Sequence, residues 1–364
     1  MISFQPTDEQ ESIRQTVRDF AAQVMRPAAR AYDEACAIPE SFLAQAWELG
    51  LISTQIPEAY GGYGAPRSPL TNALVLEELG HGCASLALAA MAAAPFAFAV
   101  LDQGSEEQKQ AHLPRFCGAA YHVGALGVCE PVPDFNALSP RTTAEARKDV
   151  FVLNGSKCLV SMGDRATHFL VIARADGRTG GFIVARDAAG LSVTAPEKNL
   201  GLKPLPTARL ELHDVEVPAA ARLGGAAGAD ITRVLNHCRI AQAAVLTGLC
   251  RAVLEFCVPY AKERVAFDEP IAQKQSIAFR FADMLIEIES MRNLAWRGAS
   301  QLEQGVEATR AAHQAKLYAA EKSVWIADNG VQVLGGHGFI REHPVEMWYR
   351  NARTLSVLEG AAGV

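Results

Sequence analysis

Near its end the chain reads SVLEGAAGV (356–364), with Glu359 as the single acid among small and apolar residues. Such a carboxylate has two readings. On a loose end it is a solvated charge. Held in a dry pocket, a carboxylate becomes a better base and suits proton abstraction from a bound substrate. Two other places carry usable chemistry. Arg264 and Gln275 flank a turn near Pro270 in YAKERVAFDEPIAQKQ, and a guanidinium can grip a phosphate through two parallel bonds. Without a ligand it is an ordinary surface arginine. Gly335 and Gly336, in QVLGGHGF (332–339), either cap a helix or leave backbone N–H groups open to a phosphate or a ring.

Several common chemistries are missing. No GxGxxG follows a strand, and there is no P-loop, GxSxG elbow or HExxH. The nine histidines show no ligand spacing, so no metal is expected, and His337 and His343 read as loop residues. With 49% hydrophobic residues over 364 positions the chain has ample core, enough for two or three domains. The net charge is −6 without a basic run, which speaks against nucleic-acid binding. The stretch 83–101, CASLALAAMAAAPFAFAVL, is long enough for a bilayer, yet it is mostly Ala and Pro95 interrupts it; it reads as a buried helix, not a membrane span. The opening MISFQPTDEQESIRQ has no basic region before an apolar core, so no secretory signal is expected. The eight Cys form no CxxC pair and are expected as reduced thiols in the cytoplasm.

The elements that must position these residues fall into three blocks. Residues 1–120 read as helical: TDEQ (7–10) and SEEQ (105–108) are capping boxes, and Ile13, Val17, Phe20 and Val24 recur at helical spacing. Between these helices, IPEAYGGYG (56–64) is a Pro/Gly loop. Residues 121–229 read as short strands, namely 150–161, 168–174, 181–186 and 208–218, which argue an antiparallel sheet or barrel. An Asn-Gly turn is expected at 154–155. From 230 to 364 four helical segments are expected, about 230–266, 270–304, 306–333 and 344–353, forming a bundle. In the second, Ile277, Phe281, Met284, Ile288, Met291 and Ala295 face the core, with Asp283, Glu287 and Arg292 outside. The fold class is therefore α+β, with an N-terminal helical domain, a middle antiparallel β-domain and a C-terminal helical bundle.

Taken in order, these pieces resemble the acyl-CoA dehydrogenase family. LGLISTQIPEAYGGYG (49–64) and GSEEQKQAHLPRF (104–116) resemble its N-terminal domain. VLNGSKCLVS and ARLELHDVEVP resemble its middle domain. RVLNHCRIAQAA (233–244), QVLGGHGF and YRNARTLSVLEG (349–360) resemble its C-terminal bundle. The resemblance implies FAD between the β-domain and the bundle, with an acyl thioester along the flavin face. Glu359 stands at the family's catalytic glutamate, which removes the α-proton while a hydride passes from the β-carbon to flavin N5. Ser161 matches a threonine near N5. Arg239 matches an arginine near the acyl and pantetheine portion. Arg264, Phe267, Gln275, Gln332, Gly335 and Gly336 match positions that hold FAD, some of them on a neighbouring subunit, so a homodimer or homotetramer is implied. Electron-transfer flavoprotein or oxygen is the implied acceptor, and the thioester is carried by CoA or by an acyl-carrier protein.

The resemblance has gaps. The family's flavin loop TEPGAGSD is here CEPVPDFN (129–136): Cys129 replaces a Thr, both glycines are gone, and Phe135 stands where a small hydroxyl residue usually touches cofactor or pantetheine. Leu159 replaces an aromatic residue, Asn236 an Asp, Leu358 a Tyr and Ala361 a Thr, and the sequence stops about one helix short of the family pattern. Three activities stay open: an acyl-thioester dehydrogenase, a flavin monooxygenase or oxidase on the same scaffold, and a flavin-free binding or structural homologue.

Overall fold

A computed structural model describes residues 5–364. The chain begins with seven helices: α1 (Asp8–Phe20), α2 (Arg26–Ala35), α3 (Glu40–Glu48), α4 (Pro69–Gly82), α5 (Ala84–Ala90), α6 (Ala94–Gln103) and α7 (Glu106–His112). The two expected capping boxes are present. The Thr7 and Ser105 hydroxyls accept from the backbone N–H of Gln10 and Gln108, whose side chains reach back to the cap. A short π-helical turn, Ala21–Met25, links α1 to α2. The Ala-rich stretch forms α5 and α6, bent by 42° with Pro95 in the first turn of α6, and both are buried.

Seven strands follow in one sheet: β1 (Gly124–Gly127), β2 (Thr143–Arg147), β3 (Val150–Ser161), β4 (His168–Ala175), β5 (Arg178–Ala185), β6 (Leu191–Val193) and β7 (Thr207–Pro218). Most pairs are antiparallel, but β1 lies parallel to β4, with Gly124 opposite His168, and β2 touches β4 in parallel at Thr143 and Arg174. The sheet is therefore mixed rather than purely antiparallel. Nor does the chain turn at Asn154–Gly155. β3 runs straight through, because β2 pairs with it on one edge and β7 on the other. Asn154 bonds Asp214 across the sheet, and a Cβ on Gly155 would sit 2.6 Å from the Thr142 hydroxyl. The glycine serves close packing within a strand, not a hairpin.

The remaining helices are α8 (Ile231–Glu263), α9 (Gln275–Glu303), α10 (Thr309–Leu334) and α11 (Val345–Leu355), with a two-residue hairpin, β8 (Val265–Ala266) and β9 (Glu269–Pro270), between α8 and α9. α8 is long and apolar enough to cross a membrane, but it is the buried centre of the bundle, packed on α4, α9 and α10. α4 and α8 cross where Gly80 meets the Val245 carbonyl and Gly248 meets that of Glu77; any Cβ at either position would overlap that oxygen. On α9, Met284, Ile288, Met291 and Ala295 are buried as expected. Arg292 is not outside: its guanidinium turns inward to Glu77 at 2.8 Å, because α4 presents two buried carboxylates, Glu77 and Glu78, that need cations.

Candidate active site

Glu359 follows α11 in an irregular segment that the β-domain and the bundle both enclose. A Cβ on Gly360 would lie 2.7 Å from Val128, just past β1, so the segment lies tight against the sheet. Leu358 and residues 360–364 are buried. The segment is thus not a solvated tail, and the Glu359 side chain is only 14% exposed.

Its spatial neighbours differ from its sequence neighbours. Lys316 of α10 places Nζ 2.5 Å from Glu359 Oε1, and Arg239 of α8 places Nε 3.4 Å from the same oxygen. Glu359 Oε2 is buried without a hydrogen-bond partner, as is Arg239 Nη1. The main chain is held as firmly. The Leu358 carbonyl accepts from Lys316 Nζ at 2.7 Å and from Gln242 Nε2 at 3.0 Å, and the Cys129 thiol donates to the Glu359 carbonyl at 3.7 Å. Lys316 and Gln242 were missed by the sequence reading, because a lysine or glutamine inside a helical run carries no mark of a distant partner.

Cysteines around the carboxylate are not nucleophiles. Burial pushes the Cys129 thiol up to about 11. Burial first, with the nearby Glu359 carboxylate adding to it, pushes Cys238 up to about 12. Burial thus favours the neutral thiol at both.

Ser161 closes β3 opposite Thr207, and its hydroxyl is buried without a partner. Just before it the β3–β7 register shifts, and Leu159 takes a left-handed φ of 56°. Its N–H then leaves the ladder and bonds Glu197 at 2.8 Å. A cavity of about 620 Å³ opens beyond Ser161, along Met162, Glu197, Leu205 and Pro206, away from the residues that line the space behind Cys238.

The other expected residues form a second, open group. Arg264 caps α8 and Gln275 starts α9, and both are exposed. Phe267 is 88% exposed at φ 55°, with Lys274 over its ring. Gln332, Gly335 and Gly336 sit exposed at the end of α10, where Gly335 has φ 59° and an added Cβ would meet nothing within 4 Å. The Tyr260 hydroxyl to His337 (2.9 Å) and Arg280 to Asn329 (2.6 Å) bind these three helix ends into one face. Phe135 is half-buried against the core of the β-domain. The structure thus gathers Glu359, Arg239 and Cys129 into one enclosed site and leaves Arg264, Phe267, Gln275, Gln332, Gly335 and Gly336 on an outer face.

Two helical layers enclosing a mixed sheet, with a buried carboxylate at the junction, define an acyl-CoA dehydrogenase-type flavin oxidoreductase fold. Three family models match in order: the N-terminal domain over residues 7–119, the middle domain over 125–215 and the C-terminal domain over 228–364. A protein of Bacillus subtilis called a probable acyl-CoA dehydrogenase is 34% identical over all of this chain and 97% of its own. The solved butyryl-CoA dehydrogenase of Megasphaera elsdenii superposes with a TM-score of 0.89 at 30% identity, covering 99% of this chain and 96% of that one. A glutaryl-CoA dehydrogenase of Mycobacterium smegmatis, solved with FADH2, gives 0.86 at 26% identity, covering 98% and 92%. The chain belongs to the acyl-CoA dehydrogenase family. The residues present fit a flavin: the Ser161 hydroxyl is buried and unpartnered at the end of β3, and the glycines at the end of α10 leave backbone open.

Proposed function

We propose that the protein is an FAD-dependent acyl-thioester dehydrogenase in which Glu359 removes the α-proton. The observation that carries this is the divided carboxylate: Oε1 is held by Lys316 and Arg239, while Oε2 is buried and has no partner. With no group holding it, Oε2 is left to accept the α-proton of a bound thioester. Arg239 Nη1, also unpartnered, is free to hold the acyl or pantetheine arm. Ser161, Cys129, Arg264, Phe267, Gln275, Gln332, Gly335 and Gly336 are the residues proposed to hold FAD. When bound, FAD supplies the two-electron acceptor for the hydrogen that leaves the β-carbon. The product is the 2,3-enoyl thioester. CoA is the proposed carrier, electron-transfer flavoprotein the proposed oxidant, and a homo-oligomer the proposed assembly.

Glu359→Gln keeps the shape of the side chain and removes the base. Flavin bleaching by substrate under anaerobic conditions should slow by about 10²–10⁴-fold. A near-normal rate overturns the assignment. Oxygen uptake with substrate in the native protein would instead mark an oxidase or monooxygenase.

A further inference from the structure

We infer that Lys316 is a positioning residue that turns the Glu359 carboxylate so that one oxygen, Oε2, is left as the proton acceptor. This rests on the reading of Glu359 as the base. Lys316 sits in the middle of α10, and its side chain is only 14% exposed. Its ammonium reaches two atoms of the Glu359 segment at once: carboxylate Oε1 at 2.5 Å and the preceding Leu358 carbonyl at 2.7 Å. The first contact fixes the rotation of the carboxylate. The second, shared with Gln242 Nε2 at 3.0 Å, fixes the backbone that carries it.

The donors around the carboxylate are one-sided. Lys316 and Arg239 both approach Oε1, and among the described residues no donor approaches Oε2, although Oε2 is buried. A carboxylate free to rotate would offer either oxygen at random, and its lone pairs would point away from the substrate part of the time. A fixed one keeps the acceptor in place, which is where catalytic positioning gains rate. In the step itself the α-C–H bond breaks and an Oε2–H bond forms. The electron pair remains on the thioester, and Lys316 neither gains nor loses a proton.

The test uses the full-length flavoprotein. Lys316→Met keeps the length of the stem and removes both bonds and charge. Anaerobic flavin bleaching by the preferred acyl-CoA should slow by about 10–100-fold with KM little changed. Lys316→Arg should recover much of the rate. Lys316→Gln gives the same comparison should the Met variant fail to fold. Flavin content and melting temperature should stay near those of the native protein, and a crystal structure of the Met variant should show Glu359 in more than one rotamer. A Met variant with native rate overturns the inference. So does one whose loss of rate is matched by loss of flavin and stability, which would make Lys316 a structural strut. Glu359→Gln, run beside it, separates the two claims. If that variant is inactive while Lys316→Met is native-like, only the lysine inference fails; if it stays active, the base assignment fails.

Discussion

Lys157 Nζ lies 2.8 Å from Glu130 Oε1, and the two side chains are 0% and 3% exposed. The same carboxylate accepts from the Thr142 hydroxyl at 2.6 Å and from the N–H groups of Thr142 and Arg141 at 2.9 and 2.7 Å. This pair anchors the first turn of the CEPVPDFN loop to β3, so the loop keeps a fixed start despite its missing glycines.

Breaking this buried pair from one side strands a charge. Lys157→Met and Glu130→Leu should each destabilise the protein by roughly 3–5 kcal/mol. The double replacement should cost clearly less than the sum of the two. Urea unfolding of the four proteins checks this, and strict additivity would show that the pair is uncoupled.

Acid should weaken the fold through histidines that lie buried or partly buried. Burial, and then the Arg115 charge, pushes His168 down to about 4; burial, and then Arg67, pushes His237 down to about 3. Both are neutral when folded at neutral pH, whereas an unfolded histidine titrates near 6.5. Between about pH 6.5 and 4 the unfolded chain therefore binds more protons. Stability is full above that window and falls as pH drops through it. Melting temperatures from pH 7.5 to 4.5 should decline, less steeply in His168→Gln. A rise in melting temperature over the same range would contradict the assignment.

Arg264 is exposed and has a free guanidinium face at the end of α8. Arg264→Ala should lower flavin occupancy after dialysis while changing stability by no more than about 0.5 kcal/mol. Unchanged occupancy would make it an ordinary surface arginine.

Chain length should matter. The acyl group is expected to meet Phe135 of the altered loop. Octanoyl-CoA should bleach the flavin poorly. With Phe135 in the loop, butyryl-CoA should be weak as well, and a branched, cyclic or aromatic acyl thioester should be preferred. Efficient turnover of either straight chain would show that the loop changes do not govern specificity.

Features set by near neighbours in sequence were readable. The caps at Thr7 and Ser105 and the span of β3 need only their own residues. Asn154–Gly155 misled because its turn signal is local, whereas two flanking strands decide its conformation. Arg292 misled for a related reason: its helical position faces outward until Glu77 of α4 is brought beside it. Glu359 stood out by its odd company, but Lys316 could not, because an ordinary helical lysine gains its role only when α10 packs beneath the terminal segment. The FAD roles proposed for Arg264, Phe267, Gln275, Gln332, Gly335 and Gly336 rest on family resemblance, since each by itself is an exposed position.

α8 also acts as a ruler. Arg239 lies near its start and Arg264 at its end, and at about 1.5 Å per residue the helix separates them by roughly 37 Å. One flavin seated beside Ser161 and Glu359 cannot also be gripped by the Arg264 of the same chain. Two defective proteins, one lacking Glu359 and one lacking Arg264, would then carry complementary injuries. Unfolded together and refolded as a mixture, they should show more activity than either alone, through hybrid assemblies in which one pocket receives both intact groups.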